Sequence, residues 1–337
     1  MRGRFAPFVV GAGLAGLSVI CVVFGLYAAL LGEPVTGFVA AGSLSLGLGA
    51  VLLYAGTAQA DPARREAIIG VLLLWLVVPL AGALPYALSG GLSPVSAIFE
   101  SMSGFTATGA TVLQDFAGFP RILFMYRAFS QWLGGVGIVV LFVAVFPKLA
   151  IAGRQMFFAE MPGPTEEKLT PRLRNTAMAV LLVYAGMTVV AAVSYGLLGM
   201  PPFDALAHAF TTVAAAGFSP NANSFAGYDI PALDWFAIVF MTLAGVSFTL
   251  QYQVLVGRPQ ALWRDPEFRA YAALLLVASA LLFYFIRDSY GVAEGLRHAL
   301  FQAISIMTTT GYASVDFAQW PEQAQAILLV LMFVGGS

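Results

Sequence analysis

Eight apolar stretches occupy most of this chain, at roughly 5–31, 36–59, 67–88, 120–147, 176–198, 232–257, 270–286 and 322–335. A helix that crosses a bilayer needs about 20 mostly apolar residues, and these eight qualify within tolerance. Only 10% of the residues are charged and 60% are hydrophobic, whereas a soluble domain carries about 25% charged residues. A soluble globular fold is therefore excluded, and the expected class is an all-α polytopic membrane protein. The first stretch is too long for a cleaved signal peptide and another follows at once, so it reads as a retained helix. The net charge of −1 leaves no electrostatic footprint for nucleic acid. The single cysteine, Cys21, excludes a disulfide within the chain.

Three further apolar stretches, roughly 95–107, 203–214 and 296–309, are too short to cross and fit re-entrant half-helices. The basic residues agree with that reading. If the short stretches do not cross and the N-terminus is cytoplasmic, 12 of the 16 Lys and Arg residues lie inside, among them Arg2, Arg64, Lys148, Arg154, Lys168 and Arg264. Only Arg121, Arg127, Arg287 and Arg297 lie outside, facing ten acidic residues there. Such an outer face attracts cations.

The half-helices end alike. Phe105-Thr106-Ala107-Thr108-Gly109, Val213-Ala214-Ala215-Ala216-Gly217 and Met307-Thr308-Thr309-Thr310-Gly311 each place three small residues before one glycine. An aromatic residue and a proline follow each time: Phe116 and Pro120, Phe225 and Pro231, Phe317 and Pro321. The repeated unit is helix, half-helix, small-residue loop, helix. The expected organisation is two N-terminal helices over 1–60, then repeats over 61–150, 151–260 and 261–337. Irregular backbone at membrane depth survives only where protein buries it or it lines a wet cavity. Three such loops on one axis can line a pore whose carbonyl oxygens replace a cation's hydration shell. The candidate lining is Thr106, Ala107, Thr108 and Gly109, then Ala214, Ala215, Ala216 and Gly217, then Thr308, Thr309, Thr310 and Gly311. The half-helices enter from outside, so their partially negative C-termini point inward and favour a cation. The alternative is that these loops are merely tight connections.

The residues Phe99-Glu100-Ser101-Met102-Ser103-Gly104-Phe105-Thr106-Ala107-Thr108-Gly109-Ala110-Thr111 resemble the first pore loop of the Trk-type potassium-uptake membrane subunits, in the Trk/Ktr/HKT superfamily. Four other stretches resemble the same bacterial Trk subunit: Gln131-Trp132-Leu133-Gly134-Gly135-Val136-Gly137-Ile138, Ala159-Glu160-Met161-Pro162-Gly163-Pro164, Trp263-Arg264-Asp265-Pro266-Glu267-Phe268-Arg269 and Thr308-Thr309-Thr310-Gly311-Tyr312. The resemblance implies K⁺ transport across a bacterial inner membrane through four pseudo-repeats in one chain. It also implies a homodimer and a cytosolic nucleotide-binding ring that gates it. Three repeats precede Ser337 here. The 337 residues by themselves are therefore expected to be a fragment that does not conduct selectively, and about 100 to 150 further residues would complete the ring. A non-conducting accessory subunit is the other reading. The second loop carries no hydroxyl, which leaves backbone carbonyls as its obvious ligands.

Glu100, nine residues before Gly109, reads as a carboxylate supporting the filter from behind, or as a surface acid at the outer end of the half-helix. His208 holds the matching place before Gly217; His298, thirteen before Gly311, does not. Both histidines read as polar anchors near the outer interface. Arg127 is expected to snorkel to the outer surface. Gly134, Gly135 and Gly137 suit either close packing or a bend. The stretch Glu160–Arg174 is either a docking surface for a gating partner or a solvated linker. Gly11-Ala12-Gly13-Leu14-Ala15-Gly16 matches a dinucleotide fingerprint in letters, but it lies in a helix apolar all round and is expected to serve helix packing. A membrane enzyme would need a nucleophile–base pair or clustered ligands. Neither H-E-x-x-H nor G-x-S-x-G occurs.

Overall fold

The computed structural model describes residues 4–58, 63–144 and 169–335, all of it helix and connecting loop among the described residues. Arg2, Lys148, Arg154, Lys168, the Ala159–Pro164 motif, most of the Glu160–Arg174 stretch and Gly336–Ser337 lie outside the described residues. Five helices among the described residues are long and apolar enough to cross a membrane: Phe5–Leu31, Thr36–Ala55, Arg65–Leu88, Met178–Leu197 and Pro266–Met307. A sixth candidate, Pro231–Ala244 with Phe248–Leu255, is bent by 101°. The straight crossing expected over 232–257 is thus a broken one. The other two apolar stretches form the helices Arg121–Ala144 and Glu322–Val334. The chain is a multi-pass helical membrane protein.

It divides into two compact units. Among the described residues, the first holds the chain up to Thr106 together with Ala110–Ser130. The second holds Ala107–Gly109, Gln131–Val139 and the chain from Arg174 onward.

In the first unit Phe5–Leu31 turns back on Thr36–Ala55 through Gly32, whose φ is 70°. Of the G-x-G-x-x-G glycines, Gly11 faces the second helix and Gly13 the third, while a Cβ at Gly16 would meet no described atom within 4 Å. A Cβ at Gly11 would lie 2.8 Å from the Leu53 nitrogen, and one at Gly13 would lie 2.2 Å from Leu74 Cδ1. Those glycines therefore serve close packing in lipid. The third helix breaks at Gly82, below the internal Pro79. Its freed carbonyls still need donors in a water-poor setting. Ser101 Oγ donates to the Pro79 carbonyl at 2.6 Å, and Tyr126 Oη donates to the Gly82 carbonyl at 3.2 Å. These bonds fix the half-helix Pro94–Phe105 against the break. That half-helix has 12 residues, about 18 Å at 1.5 Å per residue, too short for a hydrocarbon core of about 30 Å. Ser93 caps it by accepting from Ser96 N at 3.2 Å, and Pro94 opens it with a preset φ.

In the second unit the half-helix Pro202–Val213 repeats this length and the proline start. The third half-helix is continuous with the crossing before it as Pro266–Met307, but Gly291 at φ 74° interrupts the helical path. Here too a break is satisfied by a side chain. Gln251 Nε2 donates to the carbonyls of Leu243 (2.7 Å) and Val246 (2.9 Å) at the 101° bend. Tyr195, Phe225, Phe240, Met241, Phe301 and Tyr312 form the centre of this unit's core.

Glu33 supplies the clearest long-range cap. Its carboxylate accepts from Arg121 N at 3.0 Å and Ile122 N at 2.7 Å, the first donors of the helix after the first loop. Glu33→Ala should lower stability by about 1 kcal/mol, and Glu33→Gln by less, because an amide oxygen still accepts. Thermal unfolding in detergent checks this; equal melting of both variants and the parent would refute it.

Candidate functional site: three glycine loops and their anchors

The three loops share one backbone pattern. Ala107, Ala215 and Thr309 adopt φ of 53°, 51° and 60°. Two residues on, Gly109, Gly217 and Gly311 adopt 79°, 73° and 79°. Left-handed backbone at a residue with a Cβ costs on the order of 1 kcal/mol or more. Three such residues at the same register are therefore held there by their surroundings. Alternating handedness turns successive peptide groups in a way that neither a helix nor a strand does.

The loops of the second unit meet head to tail. A Cβ on Gly109 would lie 1.9 Å from the Ala216 carbonyl oxygen, and one on Gly217 would lie 1.7 Å from that of Thr310. Each glycine thus faces the carbonyl just before the next loop's glycine. A Cβ on Gly311 meets no described atom within 4 Å. Below the loops is a cavity of about 300 Å³ lined by Ala107, Ala214, Ala215, Thr308 and Thr309 together with Gly245 at the bent helix.

Each half-helix sends a buried polar side chain to the segment after its glycine. Glu100, fully buried, accepts from Val112 N at 2.7 Å and from the Thr111 hydroxyl. His208, equally buried, bonds the Asp204 carbonyl through Nδ1 at 2.8 Å and Ser219 Oγ through Nε2 at 3.2 Å. In the third repeat the matching place, nine residues before Gly311, belongs to Gln302. With its amide oxygen and nitrogen exchanged, the orientation its neighbours require, it donates to the Tyr312 carbonyl at 3.3 Å and accepts from Ser314 N at 3.1 Å. Val112 and Ser314 both stand three residues after their glycine, so Glu100 and Gln302 make the same bond. His298 sits elsewhere on the half-helix and bonds Ser314 Oγ at 2.9 Å. Both histidines are buried and hydrogen-bonded. No group of three or more metal-ligating side chains occurs among the described residues.

Arg127 does not snorkel. It is 1% exposed and pairs through Nε with Glu100 at 3.1 Å, while Nη2 donates to Thr111 Oγ1 at 2.9 Å. Burying a carboxylate without a partner is costly, and Arg127 is the residue that offsets Glu100. The only hint in the sequence was one cation and one anion in adjacent apolar segments.

The other predicted lining residues fall as follows. Thr106 closes its half-helix, its hydroxyl donating to the Met102 carbonyl at 2.7 Å. Thr308 does the same to Ile304 at 2.8 Å and also meets Thr310 Oγ1 at 2.8 Å. Thr309 Oγ1 donates to the Thr308 carbonyl at 2.6 Å. Thr108 lies between the two left-handed residues of its loop. Tyr312 Oη contacts the Thr211 and Thr212 hydroxyls and donates to the His208 carbonyl at 3.2 Å, so the third loop is tied to the second half-helix. Outside the helices, burial beside Asp204 raises the Tyr228 hydroxyl pKa, so it remains a donor to Asp204 at 2.9 Å. Gly135 packs: a Cβ there would lie 2.5 Å from Tyr184 Oη and 3.4 Å from Ala214 Cα.

Fold and site define a polytopic helical membrane protein with re-entrant half-helices that end in strained glycine loops. The chain belongs to the TrkH family: the family model described as a cation transport protein matches residues 35–337. The Trk system potassium uptake protein TrkH of Halomonas elongata is 39% identical over 310 residues, covering 89% of this chain and 64% of that protein. The protein of the same name in Vibrio parahaemolyticus is 37% identical over 303 residues, covering 85% of this chain and 62% of its own length. The crystal structure of the potassium transporter TrkH from Vibrio parahaemolyticus superposes with a TM-score of 0.86 at 33% identity, covering 100% of this chain and 71% of that one. The chain therefore spans somewhat under two thirds of these curated relatives.

Arg127→Leu should destabilise the protein by about 3 kcal/mol, because it leaves Glu100 buried without its cation. Adding Glu100→Gln should recover a large part of that loss. Denaturant titration in micelles measures both; a double variant no more stable than Arg127→Leu would contradict this account of the pair.

Proposed function

We propose that the chain carries K⁺ across a bacterial inner membrane through a filter built from its three glycine loops. Thr106–Gly109, Ala214–Gly217 and Thr308–Gly311 line it, and Glu100 supports it from behind without carrying a proton. The observation that carries this reading is the repeated glycine-to-carbonyl packing of Gly109 on Ala216 and Gly217 on Thr310. One relation applied twice in sequence generates an arc of loops about an axis. Backbone oxygens around such an axis suit a dehydrated monovalent cation. The same relation applied a third time sets a fourth loop of this type beside Gly311. The names of the relatives, potassium uptake proteins of a Trk system, point to the ion.

In this reading two N-terminal helices over 1–60 precede pore repeats over 61–150, 151–260 and 261–337. The N-terminus is cytoplasmic, and the acidic outer face gathers cations. The working assembly is a homodimer seated on a cytosolic nucleotide-binding ring. The 300 Å³ cavity under the loops receives the ion as it leaves the filter.

Gly109→Ala and Gly217→Ala should each lower the K⁺-to-Na⁺ uptake ratio by about tenfold or more, since the added Cβ meets a carbonyl oxygen and the left-handed angles are lost. Gly311→Ala should do the same only where a fourth loop packs against it. Glu100→Gln should keep substantial flux. The assay is uptake and growth at low K⁺ in cells without other K⁺ uptake systems. Unchanged ratios in the glycine variants would overturn the filter assignment. Rescue by the 337 residues would show that no fourth loop is needed from the same chain.

A further inference from the structure

We infer that Gln131 is a positioning residue that aims the Gly217 carbonyl, and so sets ion selectivity at the second loop. This rests on the filter reading proposed above. Gln131 is fully buried. Its Nε2 donates to the Ala216 carbonyl at 2.8 Å, and its Oε1 accepts from Phe218 N at 3.1 Å. Those two groups belong to the peptide units on either side of Gly217. One side-chain amide therefore holds both peptide planes of the glycine that carries the loop's left-handed turn.

The direction follows from peptide geometry. In a planar trans peptide the N–H and C=O point opposite ways. Phe218 N–H points at Gln131, so the Gly217 carbonyl in the same peptide unit points away from it. The Ala216 carbonyl is turned the other way, toward the Gln131 amide and the Gly109 Cα. The Ala216 oxygen is therefore already engaged, whereas the Gly217 oxygen is left free of Gln131 to face an ion.

The second loop needs this outside support more than the third. Thr308 and Thr310 join their hydroxyls within the third loop, whereas Ala214-Ala215-Ala216 has no side chain able to hold a peptide plane. Glycine resists rotation least of all residues, so an unheld Gly217–Phe218 peptide is the one free to flip. A flip would replace a carbonyl ligand by an N–H that repels a cation. Gln131 lies on the helix Arg121–Ala144, ahead of Trp132, whose indole donates to Thr188 Oγ1 at 3.0 Å. Thr188 thus bonds the same helix, its own hydroxyl donating to the Tyr184 carbonyl at 2.8 Å, and serves as the control.

The experiment measures K⁺ and Na⁺ uptake by the protein in cells without other K⁺ uptake systems, with thermal unfolding of each purified variant. Gln131→Met keeps the shape and loses both bonds; its K⁺-to-Na⁺ ratio should fall about tenfold. Gln131→Glu keeps the acceptor for Phe218 N but sets a second oxygen against the Ala216 carbonyl in place of the donor, so its ratio should fall as well. Thr188→Val should lower the unfolding temperature and leave the ratio unchanged. If the Gln131 variants keep the parent's ratio while Gly217→Ala changes it, the inference fails and the filter reading stands. If none of these variants changes it, both fail. A Thr188→Val ratio that falls as far as that of Gln131→Met would also overturn the inference, since general loosening would then explain both.

Discussion

The structure turns on a backbone oxygen placed where a β-carbon would have to be. The Ala216 and Thr310 carbonyls press against Gly109 and Gly217 so closely that only a hydrogen fits between them. That contact fixes the spacing between loops and demands glycine at 109 and 217, while Ala107, Ala215 and Thr309 share left-handed angles that residues with a β-carbon seldom adopt. The half-helices, their anchors and the breaks in the surrounding helices all serve to deliver three irregular segments to that contact.

Delivering them raises a second constraint, because every freed backbone group at membrane depth must find a partner. The protein meets it with side chains placed at each interruption. Ser101 and Tyr126 take the carbonyls released near Pro79 and Gly82, and Gln251 takes those at the 101° bend. Glu100, His208 and Gln302 take the segments after the glycines. Three different side chains do one job at one register position. What the position requires is a buried polar group that reaches the loop after the glycine, and an acid needs a cation as well. That is why the first repeat alone carries Arg127.

Much of this was legible before any coordinates. The number of apolar stretches, the three short ones, the repeated small-residue loops and the place of Glu100 followed from hydropathy, length and spacing. The resemblance to Trk-type subunits pointed to the family that the comparison with known proteins established. Gln302 is legible by the same nine-residue count that singles out His208. Arg127 departs from expectation because an arginine near a helix end ordinarily reaches water, and hydropathy says nothing about which residue faces it. The bend within 231–255 stayed hidden because the two arms together are long and apolar enough to pass for one crossing.

Sequence alone determined that the chain is helical and membrane-bound, that short helices end in glycine loops, and that those loops recur in one register. Each of these follows from local properties: the apolar length a bilayer demands and the backbone freedom of glycine. Only the tertiary structure decided which carbonyl each glycine meets, that Arg127 turns inward to Glu100, and that Gln131 reaches the second loop from a helix of the preceding repeat. Those pairings join residues 27 to 107 positions apart. No local pattern encodes them, because they depend on which of several equally apolar helix faces come together.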